Sequence, residues 1–318
     1  MDTEFNTKIK HSLAAGVRKG WAGFAWLLKI LVPISLLTML LQHSGSIQNL
    51  NFLLEPVMGW LSLPPSAALP IITGALAGIY GGIAAMSMLP FTNGQMTLMA
   101  IFLLIAHNLV QEGIIQARSG IGGLKAVISR LAVAVVTVMV VARLLDVDPA
   151  ASAAAAAPVA ATTLTGALLN WASATLVLAV KMFLIIVAVM IILETLKTFD
   201  LVPVVVRIFA PVLWLMGLNR RVGLLWLTAV IFGITYGGAV IVQEARRGSF
   251  SREEIESLHL SIGVNHSMIE DPALFLSLGL HPFWMWIPRL VAAVLIVHIA
   301  RLGFKMVKTG KDSAFPDA

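Results

Sequence analysis

A glycine-tyrosine phrase followed by a histidine phrase is written twice along this chain, both times in strongly apolar surroundings. The first copy reads Gly78-Ile79-Tyr80-Gly81-Gly82 and the second Ile234-Thr235-Tyr236-Gly237-Gly238, with Gly233 standing 155 residues after Gly78. His107-Asn108-Leu109-Val110-Gln111-Glu112 follows the first; Asn265 and then His266-Ser267-Met268-Ile269-Glu270-Asp271 follow the second. Burying polar groups is costly, so a polar cluster placed twice at apolar depth points to a duplicated, pseudo-symmetric membrane core. Weaker matches pair Glu55-Pro56-Val57 with Ala210-Pro211-Val212 and Thr73 with Thr228.

The apolar surroundings are general. With 58% hydrophobic residues, 12% charged and a mean hydropathy of +0.91, the chain needs lipid as solvent. Residues 21–41, 124–145, 168–193 and 283–302 are apolar stretches near the roughly 20 residues a helix needs to cross about 30 Å of hydrocarbon. Strand alternation is absent, so the expected class is an all-α integral membrane protein. The basic N-terminal residues Lys8, Lys10, Arg18 and Lys19 precede an apolar run too long for a signal peptide, which reads as a retained first span. The absence of cysteine excludes disulfides, thiolate metal sites and a cysteine nucleophile. A net charge of +6 is explained by topology, with the bilayer as partner and no nucleic acid.

The predicted organisation is a cytoplasmic N-terminus (1–20), a first repeat (21–145), a cation-free, alanine-rich linker (146–165), a second repeat (166–306) and a cytoplasmic tail (307–318). If every apolar segment crossed the membrane, Arg118 to Arg130 would lie outside and Arg220/Arg221 opposite Arg246/Arg247. Both conflicts vanish if 66–91 and 222–242 are re-entrant hairpins with the Tyr-Gly-Gly phrases at or near their tips. Then 18 of the 22 cations face the cytoplasm, Lys29, Arg143, Lys181 and Arg289 being the exceptions. Each half becomes three crossings plus one hairpin, and an odd number of crossings relates the halves by inversion. The location expected is a bacterial inner membrane with both termini cytoplasmic. A symmetric homo-oligomer is compatible with the chain.

On an unbroken helix His107 and Gln111 share a face, as do His266 and Glu270. Pro272 would interrupt the second copy, with Gly113 at the matching place in the first. A helix broken at midplane offers backbone groups beside polar side chains, as transporters use to hold solutes and ions. A lone histidine on an apolar helix is usually interhelical glue; its duplication favours a solute or ion pathway. The candidate binding residues are therefore Tyr80, Gly81, Gly82, His107, Asn108, Gln111, Glu112, Tyr236, Gly237, Gly238, Asn265, His266, Ser267, Glu270 and Asp271, with Lys181 as a counter-ion for Glu270. Glu112 and Asp271 also fit solvated groups near helix ends. Two histidines with acids can ligate a divalent ion, but Gln111 opposite Glu270 makes that pairing asymmetric and leaves the metal open. No phosphate loop, His-Glu-x-x-His or nucleophile-elbow motif is present, so neither enzyme activity nor a cofactor is expected.

The residues 78–82 with 107–112, and 234–238 with 266–272, resemble the Gate, or nucleoside-recognition, domain family. That family includes the ferrous-iron permease membrane domain, spore maturation proteins and part of the concentrative nucleoside transporters. The resemblance implies paired gates related by inversion, with hairpin tips and broken helices around a central site. The chain lacks the GTPase domain and cysteines of the iron permease and is shorter than a typical nucleoside transporter. The expected function is a permease for a small polar solute or ion, nucleoside-like or metallic. The alternatives are a non-transporting scaffold or complex subunit and, more remotely, a metal-dependent intramembrane hydrolase.

Overall fold

The computed structural model describes residues 2–47, 51–151, 163–218, 220–246 and 250–312; most of the alanine-rich linker and the end of the tail lie outside them. Every regular element among these residues is helical. The first half contains α1 (Asp2–His43), α2 (Asn51–Trp60), a 3-10 turn (Pro65–Ala67), α3 (Ala68–Ala77), α4 (Ile79–Met86), α5 (Asn93–Ala106), α6 (Leu109–Arg118) and α7 (Gly123–Leu145). The second contains α8 (Leu164–Thr198), α9 (Val202–Leu215), α10 (Arg220–Arg246), α11 (Arg252–Asn265), α12 (Glu270–Leu276) and α13 (Pro282–Asp312).

Five stretches are long and apolar enough to cross a bilayer: Glu4–His43, Asn93–Arg118, Gly123–Leu145, Leu164–Thr198 and Pro282–Phe304. The three crossings expected in the second half are met by two among the described residues. In the place of Asn93–Arg118 stand α11 and α12, and Arg252, Glu253, Glu254 and Glu256 in the first turns of α11 interrupt its apolar run. The segments Leu54–Trp60 and Pro65–Ala77 meet at an 86° bend.

The first helices of the two halves pair along most of their length. α1 has 42 residues, about 63 Å at 1.5 Å per residue. It runs antiparallel to α8: Phe5 meets Phe199, Gly16 meets Ile191, Gly20 meets Val187, and Trp171 Nε1 donates to Ser35 Oγ at 3.0 Å. A Cβ at Gly16 would lie 2.6 Å from the Ile191 Cα, so only glycine admits backbones this close.

The two glycine phrases form true reversals. Gly78 has φ 86° and ψ 175°, and Gly233 has φ 78° and ψ 167°, values open to glycine at little cost. A Cβ on Gly82 would sit 3.3 Å from the Gly74 Cα, and one on Gly237 2.6 Å from the Ala229 Cα. Residues eight apart on a straight helix are about 12 Å apart, so α3 folds back on α4, and the two legs of α10 fold back in the same way.

Those contacts correct the register of the repeat. Gly74 corresponds to Ala229 and Gly82 to Gly237, so Tyr80 corresponds to Thr235 and not to Tyr236. Tyr236 stands three residues past its reversal glycine where Tyr80 stands two, about 100° further round a helix. The side chain of Tyr236 lies outside the described residues.

At the centre are α5 and α11. Every residue from Leu98 to Ala106 and from Ile255 to Asn265 is buried. Large apolar side chains elsewhere, such as Leu169, Leu176, Leu184, Ile128, Val136, Leu295 and Ile299, point outward, as lipid-facing positions require.

Candidate functional site

Each central helix ends at its histidine. α5 starts with a capping box, Thr92 with Gln95, and α11 with another, Ser251 with Glu254. Their C-terminal caps are His107 and His266, both extended with ψ near 160° (161° and 162°). The next residues, Asn108 and Ser267, are left-handed at φ 49°; asparagine tolerates that conformation better than most residues. The breaks therefore fall at His107-Asn108 and His266-Ser267. The sequence expectation of breaks at Gly113 and Pro272 is corrected: Gly113 lies within α6 and Pro272 in the first turn of α12. His107 and Gln111 consequently sit on different helices and do not share one face. The same holds for His266 and Glu270.

The broken ends are satisfied in the same way in both halves. His107 Nδ1 lies 2.7 Å from Leu103 O and His266 Nδ1 2.9 Å from Ile262 O, the latter carbonyl also accepting the His266 backbone N–H at 2.9 Å. Arg130 donates from Nε to Ile105 O at 2.8 Å and from Nη2 to His107 O at 2.9 Å. Arg289 donates from Nε to Val264 O at 3.0 Å and from Nη2 to His266 O at 2.8 Å. Both guanidinium groups thus cap the carbonyl, negative end of a helix. The hairpins dock on the same breaks, with Asn108 N–H on Gly74 O at 3.0 Å and Ser267 N–H on Ala229 O at 3.1 Å.

Sequence reading missed Arg130 and Arg289 as site residues and counted Arg130 among the cytoplasmic cations. It is 1% exposed and Arg289 is fully buried, so neither is a surface charge. Each follows its histidine by 23 residues, a spacing that marked them as counterparts. Arg289, an exception to the cation distribution, is thereby explained.

The two histidines meet. Their Nε2 atoms are 3.3 Å apart and their ring centroids 4.9 Å apart. Glu112, in the first turn of α6, lies 3.3 Å from His107 Nε2 through Oε1 and 3.3 Å from His266 Nε2 through Oε2. Arg130 Nη1 is 2.6 Å from Glu112 Oε2, and Asp271 Oδ2 is 3.5 Å from His107 Nε2. Glu112 and Asp271, which the sequence allowed to be solvated at helix ends, are both buried beside the imidazoles. They, and not Gln111 or Glu270, are the groups in register with the histidine pair.

These residues line a cavity of about 550 Å³, bounded also by Tyr80, Asn108, Gln111, Ser267, Glu270 and the reversal glycines Gly78 and Gly233. Tyr80 donates to Glu270 Oε1 at 3.1 Å, a link across the halves, and its ring meets Trp26 edge-on at 5.5 Å. Several expected residues lie elsewhere. Gly81, Gly82, Gly237 and Gly238 pack the hairpin legs against neighbouring helices and do not line the cavity. Asn265 is fully buried one residue before its break, with neither amide atom hydrogen-bonded among the described residues. Lys181 is exposed and lines a separate cavity with Met86, Phe91 and Ser277, so Tyr80 and not Lys181 is the partner of Glu270.

The chain is 28% identical over 298 residues to the uncharacterized membrane protein YvoD of Bacillus subtilis (strain 168), covering 89% of this chain and 91% of that protein. No family model and no solved structure matches it. With five apolar helices of spanning length and this relative, the chain is a multi-pass membrane protein.

Proposed function

We propose that the protein is a permease for a small polar solute or ion, working by alternating access between two inverted repeats of the Gate type. One observation carries the reading: two broken helices from opposite halves bring four buried ionisable side chains, His107, His266, Glu112 and Asp271, to one cavity inside an apolar, membrane-spanning bundle. Ionisable groups at such depth are expensive and mark substrate or ion pathways. Broken helices facing a cavity supply the backbone polarity that carriers use for binding. The antiparallel pairing of α1 with α8 supports inversion, because the leading helix of each half then runs the opposite way through the bilayer. The fold-backs at Gly78 and Gly233 support re-entrant hairpins, whose irregular tips lie against protein as the bilayer demands. The two halves could then rock about the shared cavity, each hairpin closing one side. The location that goes with this reading is a bacterial inner membrane with cytoplasmic termini, and the protein is not an enzyme.

The test is flux in proteoliposomes with a panel of small cations, organic acids and nucleosides. A saturable flux lost in His107→Ala with His266→Ala, in protein that still elutes as a single species, is expected. Flux of every solute at the rate of empty liposomes would overturn the reading.

A further inference from the structure

The two imidazoles face each other in a way that calls for a cation between them. A carbonyl oxygen only accepts, so the contacts to Leu103 O and Ile262 O require a proton on Nδ1 of both His107 and His266. In the neutral rings, Nε2 then carries a lone pair, and the two Nε2 atoms stand 3.3 Å apart. Two lone pairs at that distance repel unless something positive is shared. Asp271 Oδ2 brings a third donor, and the three donor atoms lie within 4.8 Å of one another in buried surroundings.

Two of the three donor spacings match a metal polyhedron. With metal–ligand bonds of about 2.0–2.2 Å, donors at the corners of a tetrahedron are roughly 3.3–3.5 Å apart. The His107–His266 edge is 3.3 Å and the His107–Asp271 edge 3.5 Å, while the His266–Asp271 edge is wider, within 4.8 Å, and would close on a bound ion. The hydrogen bonds from Nδ1–H to a backbone carbonyl are the outer-shell support that fixes ring orientation in metal-binding histidines. Glu112, 3.3 Å from each Nε2, supplies a second negative charge, and Arg130 holds its Oε2, the oxygen that faces His266. The remaining direction opens on the cavity, which is the arrangement of a three-ligand site with one exchangeable position.

We propose that His107 Nε2, His266 Nε2 and Asp271 Oδ2 bind one divalent first-row transition-metal cation between the two halves. Imidazole nitrogen with carboxylate suits this class over alkali or alkaline-earth ions. The inference rests on the permease reading only in making the cavity the pathway: the ion would be cargo that enters by the open position.

The purified full-length protein, stripped with a chelator and titrated with Co2+, gives the test. One Co2+ per chain with the intense visible bands of four-coordinate geometry is expected, with affinity falling more than about tenfold in His266→Gln or Asp271→Asn. X-ray absorption of the Zn2+-loaded unmutated protein should show imidazole scattering, and this measurement stands even if the variants fold poorly. Failure to bind either ion stoichiometrically, or a Zn2+ shell without imidazole, would overturn the proposal and leave a proton as the occupant of the histidine pair. Metal bound without flux of the metal or of any solute in the panel would keep the site and remove the permease reading. Flux of another solute without metal binding would do the reverse.

Discussion

At the scale of single residues, Arg130 and Arg289 have the largest structural consequences. Each satisfies two carbonyls at a broken helix end, and Arg130 also neutralises Glu112. Lysine keeps the charge but cannot fork across two acceptors. Arg130→Lys should therefore lose about 1–3 kcal/mol of unfolding stability, the penalty of one buried acceptor left unmet. Arg130→Met strands Glu112 as well and should lose about 3–5 kcal/mol. Adding Glu112→Gln to Arg130→Met should return part of that loss, a non-additivity that denaturant unfolding in detergent would measure. An unaltered stability of Arg130→Met would show that the guanidinium does not cap these ends.

Among the elements, the hairpins turn on two glycines and the broken helices on two histidines. Gly78→Ala forces a side chain into φ 86°, ψ 175°, at a cost of about 1–3 kcal/mol. Gly59→Ala, in α2 with open space around it, should change stability by less than about 0.5 kcal/mol. Thermal unfolding followed by circular dichroism distinguishes them, and equal midpoints would remove the reversal at Gly78. The sequence revealed these elements unevenly. The glycine reversals were readable because a positive φ leaves glycine as a mark. Gly113 and Pro272 read as the helix breaks because they are strong local breakers, whereas the actual breaks are held by side chains and carbonyls distant in sequence. The Tyr-Gly-Gly match sets Tyr80 against Tyr236, whereas the constant 155-residue spacing of Gly78 to Gly233 and Thr73 to Thr228 already carries the register that the close contacts Gly82–Gly74 and Gly237–Ala229 fix. His107 and His266 were legible from duplication alone. Arg130 and Arg289 were hidden because a cation in an apolar chain reads first as a topology signal.

Across the whole molecule, inversion makes a prediction about sidedness. The chain contains no cysteine, so single introduced thiols report directly. Ser44→Cys follows α1 and Asp200→Cys follows α8; inverted halves place them on opposite membrane faces. An impermeant maleimide added to right-side-out vesicles should label the first and reach the second only after permeabilisation. Labelling of both from one side would mean parallel halves and would remove the rocking-repeat description.

The ion pair between Glu112 and Arg130 has a further consequence for biosynthesis. Both partners, with His107, belong to the part of the chain made before α8, whereas Asp271 and Arg289 are translated much later. The nascent first half can therefore be parked in lipid with its costliest charges already cancelled, and the arrival of the second half completes the chamber without having to rescue a stranded carboxylate.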